Sequence, residues 1–261
     1  MKDFNARIER DKIIAYLGGW FEARGPQSKA IIGISGGKDS TIAAALAVRA
    51  LGKNRVVGVI MPNGEMYDIN DAIQVCQVLG IEYKIINIKS SFDATIENLT
   101  KAGCNINYDV RVNTAPRERM KYLYAVCASQ TVPSAVINTC NRSEDYVGYS
   151  TKFGDSAGDI SVLQDLLVSE VLAIGDLLEE IPYELVHKTP SDGLCGKSDE
   201  DNLGYTYNQL DTYIRYKEDE SITEDEFNAV VPDDIAYKIK KRHKANLHKI
   251  EPMPSYARRK D

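Results

Sequence analysis

Four short apolar runs, at residues 30–34, 55–61, 83–88 and 135–138, constrain the fold more than any other feature of the chain. Apart from Arg55, the first two hold no polar side chain, so they read as strands covered on both faces, as in a parallel sheet between helices. Residues 8–21 carry Ile13, Ile14, Leu17 and Phe21 at helical spacing. Residues 38–51 are Ala-rich and stop at Gly52, and helical patterns also span 71–79, ending at Gly80, and 115–129. Strands that alternate with helices join through crossovers of fixed hand. The expected fold is α/β: a doubly wound, mostly parallel sheet flanked by helices. After Tyr149 the texture changes. Residues 151–159 (TKFGDSAGD) are polar and Gly-rich, 163–178 have amphipathic helical spacing, and 187–201 form a second polar loop. The remainder is helical, with Tyr205, Leu210, Tyr213 and Ile214 on one face and a basic helix over 233–250. Long polar loops in such a domain tend to carry function.

Composition removes several classes. Lys plus Arg number 32 against 38 Asp plus Glu, a net charge of −6, which disfavours a general nucleic-acid binder. The longest apolar stretches, such as 42–48, are far too short for a membrane span. Cys76, Cys104, Cys127, Cys140 and Cys195 are an odd, scattered set with no CxxC pair, which points away from disulfides and zinc and towards a reducing cytoplasm. His187, His243 and His248 have no nucleophile context, so no catalytic triad is expected.

The strongest motif is Gly33-Ile34-Ser35-Gly36-Gly37-Lys38-Asp39-Ser40, between a strand and an Ala-rich helix. At the carboxyl end of a parallel strand, a Gly-rich turn entering a helix offers backbone N–H groups to an anion, and Ser35 and Ser40 add hydroxyls. A tight turn with a capping Ser or Asp would need only the glycines. Paired glycines flanked by serines in this position favour a phosphate. The spacing differs from the GxxxxGK[ST] loop.

This segment resembles the SGGxDS loop of ATP pyrophosphatases, which have an adenine nucleotide alpha hydrolase-like fold and cleave ATP between its α and β phosphates. Further motifs narrow the resemblance. They are Asn138-Thr139-Cys140-Asn141-Arg142-Ser143-Glu144, Gly148-Tyr149-Ser150-Thr151-Lys152-Phe153-Gly154-Asp155, Ala157-Gly158-Asp159-Ile160, Lys188-Thr189-Pro190-Ser191 and the run from Asp199 to Tyr205. Together they resemble the T-x4-E, G-[YF]-x-TK-[FY]-GD, K-x-P-[ST] and DE-x2-LG pattern of NAD synthetases, from about Ile8 to Pro254.

The resemblance implies a single domain over 1–261, with an ATP-binding α/β half at about 1–150 and substrate loops and helices at about 151–261. It implies ATP contacts at Gly33, Ile34, Ser35, Gly36, Gly37, Lys38, Asp39, Ser40, Thr139 and Ser191, and Mg²⁺ on Asp39 and Glu144. It implies deamido-NAD contacts at Arg117, Lys152, Asp159, His248 and Lys249; a guanidinium such as that of Arg117 suits a phosphate-rich dinucleotide. Asp155 is a weaker candidate. His243-Lys244 is the alternative to His248-Lys249, less favoured because Pro252 and Pro254 follow the later pair. Outside this constellation Glu144 would read as a helix-start carboxylate, and Lys152 and Asp159 as surface charges.

The reaction implied is an ammonia-dependent ligation. Deamido-NAD is amidated to NAD through an adenylated intermediate, with release of AMP and pyrophosphate, in a cytoplasmic homodimer without nucleic-acid or membrane partners. Rival readings are a tRNA-modifying adenylating enzyme and a nucleotide-binding homologue without catalysis. One departure bears on the second: the family's ATP-contacting Lys, nine residues beyond Asp159, is Val168 here. Lys38, at the variable position of the loop, is the cation expected to take its place and to act with Asp39 on the phosphates.

Overall fold

Lys29–Gly33 (β1), Val56–Ile60 (β2), Glu82–Ile85 (β3), Ser134–Asn138 (β4) and Ile160–Ser161 (β5) form one sheet in the computed structural model, which describes residues 4–65, 69–188 and 198–256. The order is β3-β2-β1-β4-β5 and every pairing is parallel. Alternate side chains sort to opposite faces, as the pleat requires. Ala30, Ile32, Val56, Ile60, Ala135 and Ile137 join one buried cluster, and Ile31, Val57, Val59 and Val136 join another. The first face is covered by Ala6–Glu22 (α1), Lys38–Leu51 (α2) and Ile69–Leu79 (α3). The second is covered mainly by Tyr108–Ala128 (α5), which follows Lys89–Lys101 (α4). In α2, Ala43, Ala44, Ala45 and Ala47 are fully buried, and their small side chains let this helix lie close between α1 and the sheet.

The remaining helices are Arg142–Tyr146 (α6), Val168–Gly175 (α7), Tyr183–Val186 (α8), Asp199–Leu203 (α9), Tyr207–Lys217 (α10), Glu224–Val230 (α11) and Asp233–Ile250 (α12). All but α8, whose Leu185 and Val186 join the first cluster, contribute to a third, in which Leu210, Tyr213, Ile214, Phe227 and Ile239 meet Val147, Leu167 and Val168. Four elements differ from the sequence reading. Helix α5 starts at Tyr108 rather than 115, because the Asn107 side chain caps it by accepting from Val110 N, and Pro116 is carried inside the helix. Helix α7 covers only Val168–Gly175, since the buried leucines before it lie in a turn, with Leu166 N donating to Leu163 O. The polar α4 buries no residue completely, and β5 has two residues; neither has a strong periodic signature.

The long helix α12 is seated on the end of α6 at Gly148. That residue has φ of +59°, and a Cβ there would stand 2.4 Å from Asn246 Cβ. Asn246 Nδ2 donates to Val147 O at 3.1 Å and Lys249 Nζ donates to Gly148 O at 2.8 Å, so the approach is bonded as well as tight. Gly148→Ala is expected to push α12 away and to destabilise the chain by about 1–3 kcal/mol, read as a lower urea midpoint. An unchanged midpoint would show that α12 does not depend on this contact.

Candidate active site

In the order β3-β2-β1-β4-β5 the chain reverses direction of winding between β1 and β4, and ligands of such sheets bind outside the carboxyl ends at that point. The loop after β1 and the segment after β4 both open there. Gly36 takes φ of +79°, which turns the chain sharply into α2. Ser35 Oγ and Ser40 Oγ lie 3.1 Å apart, Ser35 Oγ accepts from Gly37 N at 3.2 Å, and Ser40 Oγ donates to Gly37 O at 3.1 Å. The two serines thus brace the loop from inside. Gly37 is the N-cap of α2 and has no side chain to accept from the first-turn amides. Those amides, at the positive end of the helix dipole, present a cradle for an anion.

Beside this cradle stand Asp39 on α2 and Glu144 on α6. Asn141 joins them: its side-chain oxygen caps α6 by accepting from Glu144 N at 3.0 Å, and its Nδ2 donates to Asp39 Oδ1 at 3.1 Å. Lys38 Nζ is 2.7 Å from Asp39 Oδ2 and 3.6 Å from Glu144 Oε1, and lies 5.3 Å from the centre of the Tyr207 ring. Only 4 % of Lys38 is exposed. The Tyr207 hydroxyl donates to Glu144 Oε1 at 3.3 Å and to Asp199 Oδ2 at 3.4 Å. Burial first, and then the Asp39 carboxylate, push Glu144 above the usual carboxylate range, against the pull of Lys38. Burial works against the charge of Lys38, but Asp39 and Glu144 outweigh it and hold the ammonium above the ordinary lysine range.

Asp211 of α10 holds α6 and α7 in place. It is 2 % exposed and accepts from the Ser143 hydroxyl and, at 2.9 Å, from Ser169 N. The Ser143 oxygen in turn accepts from Val168 N at 3.0 Å. Arg142 adds a forked pair to Asp219 at 2.7 and 3.0 Å. The helical layer therefore fixes Glu144 through the polar bonds of the two residues that precede it.

Thr139 lies just past β4, half-buried at the same carboxyl edge. The loop over 151–159 hangs from that edge: Asn138 Nδ2 donates to Asp155 O at 2.8 Å and to Ala157 O at 3.1 Å. Arg117 on α5 donates through Nε to Lys152 O at 3.2 Å, Lys152 Nζ donates to His248 O, and Lys249 Nζ donates to Gly148 O and Ser150 O. The structure thus brings Arg117, Lys152, His248 and Lys249 together from three elements. His243 is used otherwise: it stacks on Tyr146 at 4.1 Å and bonds to Tyr146 O through Nδ1. Asp159 stands apart from the basic group, with its carboxylate accepting from Val136 N at 2.8 Å and from the Tyr124 hydroxyl at 3.3 Å. Ser191 lies outside the described residues.

A model of the NAD synthase family matches residues 11–253 of this sequence. The chain belongs to that family. An NH(3)-dependent NAD(+) synthetase of Thermococcus sibiricus is 43% identical over 211 residues, spanning 79% of this chain and 81% of that protein. Among solved structures, the NMN synthetase of Francisella tularensis is 31% identical with a TM-score of 0.84, covering 97% of this chain and 99% of the other. The NH3-dependent NAD synthetase of Campylobacter jejuni, solved with nitrate, is 26% identical with a TM-score of 0.79, covering 98% and 100%.

Within the NAD synthase frame, four residues gain roles that motif reading left without one. Asn141 links both carboxylates, Tyr207 and Asp199 close the site from the helical layer, and Asp211 anchors α6 and α7. Asn141 carried a local signal as a capping residue just before Arg142-Ser143-Glu144, and Asp199 opens the DE-x2-LG motif, which by itself assigns it no role. Cys140 is the reverse of an activated thiol: it is buried, its Sγ donates to Asp155 O at 3.3 Å, and burial raises it well above the usual thiol range. Val168 packs in the third cluster. Removing the Asp211 carboxylate would leave Ser143 and Ser169 N without their acceptor. Asp211→Ala is expected to cost about 2–4 kcal/mol in urea unfolding, and a loss under about 0.5 kcal/mol would contradict this anchoring role.

Proposed function

We propose that this protein is an ammonia-dependent NAD⁺ synthetase, a ligase that amidates deamido-NAD to NAD with ATP and ammonia. The observation that carries the reading is the uncapped first turn of α2 facing the Asp39 and Glu144 carboxylates at the sheet's switch point, in a chain of the NAD synthase family. Of the rival readings, tRNA modification and a homologue without catalysis gain no support from the relatives, which are named as synthetases.

Residues with hard oxygen donors face the gap between α2 and α6, which suits Mg²⁺; two carboxylates are the share a protein supplies when phosphates complete the shell. Among the described residues there is no group of three or more metal-ligating side chains, so the substrate would have to contribute. Mg²⁺ on Asp39 and Glu144 would neutralise charge as pyrophosphate departs. The amides of Gly36 and the first turn of α2 receive the β and γ phosphates, and the Ser35–Ser40 brace, which holds Gly37 N, keeps them aimed. Thr139 and Ser191 contact ATP. Lys38, on its flexible stem, reaches the phosphates in place of the lysine absent at Val168. Arg117, Lys152, His248 and Lys249 hold deamido-NAD, with Asp159 at the edge of its loop.

The nicotinate carboxylate attacks the α-phosphorus of ATP, forming an acyl–phosphate bond as pyrophosphate leaves. Ammonia then attacks the carbonyl carbon, the bond from that carbon to the bridging oxygen breaks so that AMP leaves with the oxygen, and the nitrogen loses its extra proton to water. This chemistry rests on positioning and charge stabilisation rather than on an acid–base pair. We read the chain as one domain over 1–261 acting as a cytoplasmic homodimer. No helix among the described residues is long and apolar enough to cross a membrane.

The Francisella neighbour, an NMN synthetase, favours a second reading in which the acceptor is nicotinate mononucleotide, carrying the same reacting carboxylate. The test gives the purified chain ATP, Mg²⁺, ammonium and either acceptor at equal concentration. The proposed function expects AMP and NAD in equal amounts and a higher kcat/KM for deamido-NAD; a higher value for the mononucleotide selects the second reading. No AMP with either acceptor rejects both. Asp39→Asn and Glu144→Gln are each expected to lower kcat on the order of 10²-fold or more, with circular dichroism unchanged. Near-full turnover by either variant at limiting Mg²⁺ would refute the metal placement.

A further inference from the structure

We propose that Lys38 is a built-in counter-ion for the metal position, occupying the gap between Asp39 and Glu144 and yielding it only when a triphosphate arrives. The site would then take up its divalent cation together with nucleotide rather than ahead of it. This deepens the reading of Asp39 and Glu144 as the metal pair and rests on it.

The geometry supports competition for one place. A divalent cation shared by the two carboxylates would need oxygens at roughly 2.0–2.1 Å. Lys38 Nζ already stands between the same oxygens, 2.7 Å from Asp39 Oδ2 and 3.6 Å from Glu144 Oε1. Both carboxylates are largely shielded, with side-chain exposures of 16 % and 15 %, so water screens little of the repulsion between two cations placed there. The ring of Tyr207 covers the ammonium from the helical layer, and Asp199 adds a third carboxylate nearby.

The position of Lys38 in the fold explains how the gap would open. It is the first residue of α2, where the helix dipole disfavours a cation, so the carboxylates are what keep the ammonium there. A triphosphate seated on the first-turn amides brings several negative charges to the same end of α2. The flexible four-carbon stem lets Nζ turn from the carboxylates to those phosphates. Asp39 and Glu144 are then free for the divalent cation, and the phosphates complete its shell. Nucleotide and metal therefore favour each other through one mobile ammonium, and the coupling must be the same in both directions.

The experiment is a titration of the full chain with Mn²⁺, followed by electron paramagnetic resonance of the free ion, with and without a non-hydrolysable ATP analogue. Wild type, Lys38→Met and Lys38→Gln are compared. The inference expects the two variants to bind Mn²⁺ without analogue at least tenfold more tightly than wild type. It also expects the analogue to tighten Mn²⁺ binding at least tenfold more in wild type than in the variants. Asp39→Asn combined with Lys38→Met should lose the gained affinity, locating it at this pair. Equal Mn²⁺ affinity in wild type and folded variants overturns the role of Lys38. Tight Mn²⁺ binding by wild type alone that the analogue does not change overturns it without any variant. If Mn²⁺ fails to bind wild type even with the analogue, the metal placement itself falls. None of these readings depends on turnover, which the ligase assay tests separately.

Discussion

Every strand of the sheet runs parallel, and that single constraint determines where chemistry can occur. Parallel strands need helical crossovers on both faces, so both faces become apolar and closed to polar ligands. Ile31, Val57 and Val136 on one side, and Ile32, Ile60 and Ile137 on the other, leave no room there for charge. What stays open is the edge at the carboxyl ends, where each strand releases its chain into a loop. The α2 cradle follows β1, Asn141 with Glu144 follows β4, and the 151–159 loop is hung from Asn138 at the same edge before it enters β5.

The second organising element is charge brought out of water. Asp39, Glu144 and Asp199 converge on Lys38 beneath Tyr207, an arrangement that no apolar core would tolerate without its internal pairing. The site keeps this charge by bonding it: Asn141 to Asp39 and the Tyr207 hydroxyl to Glu144, with Asp211 tying Ser143 of α6 to the first turn of α7. The helical C-terminal part thus does more than cover the sheet, because it supplies the groups that hold Glu144 and shield Lys38.

The central strands and α2 were legible in the sequence because burial on both faces leaves unbroken apolar runs, and because α2 begins and ends at glycines. The same holds for the loop at Gly33–Ser40, whose residues are contiguous. The helical pattern over 115–129 misses the first two turns of α5, whose capping Asn107 lies upstream and which carries Pro116 inside. Residues 163–167 share the leucine spacing of a helix but are buried in a turn, and periodicity alone cannot separate the two. The partners of Glu144 were hidden for another reason. Tyr207 and Asp211 are far from it in sequence, and only the packing of α10 against α6 brings them near. The Tyr207 ring is buried like a core residue, and its hydroxyl carries the rest of its role.

The most direct test of this account is a crystal structure of the protein with Mn²⁺ and a non-hydrolysable ATP analogue, using the anomalous signal of manganese to locate the ion. The account predicts a manganese peak between the Asp39 and Glu144 carboxylates, the β and γ phosphates on the first-turn amides of α2, and Lys38 Nζ turned from Glu144 to the phosphates. Phosphates seated away from α2, or a manganese peak that touches neither carboxylate, would contradict it.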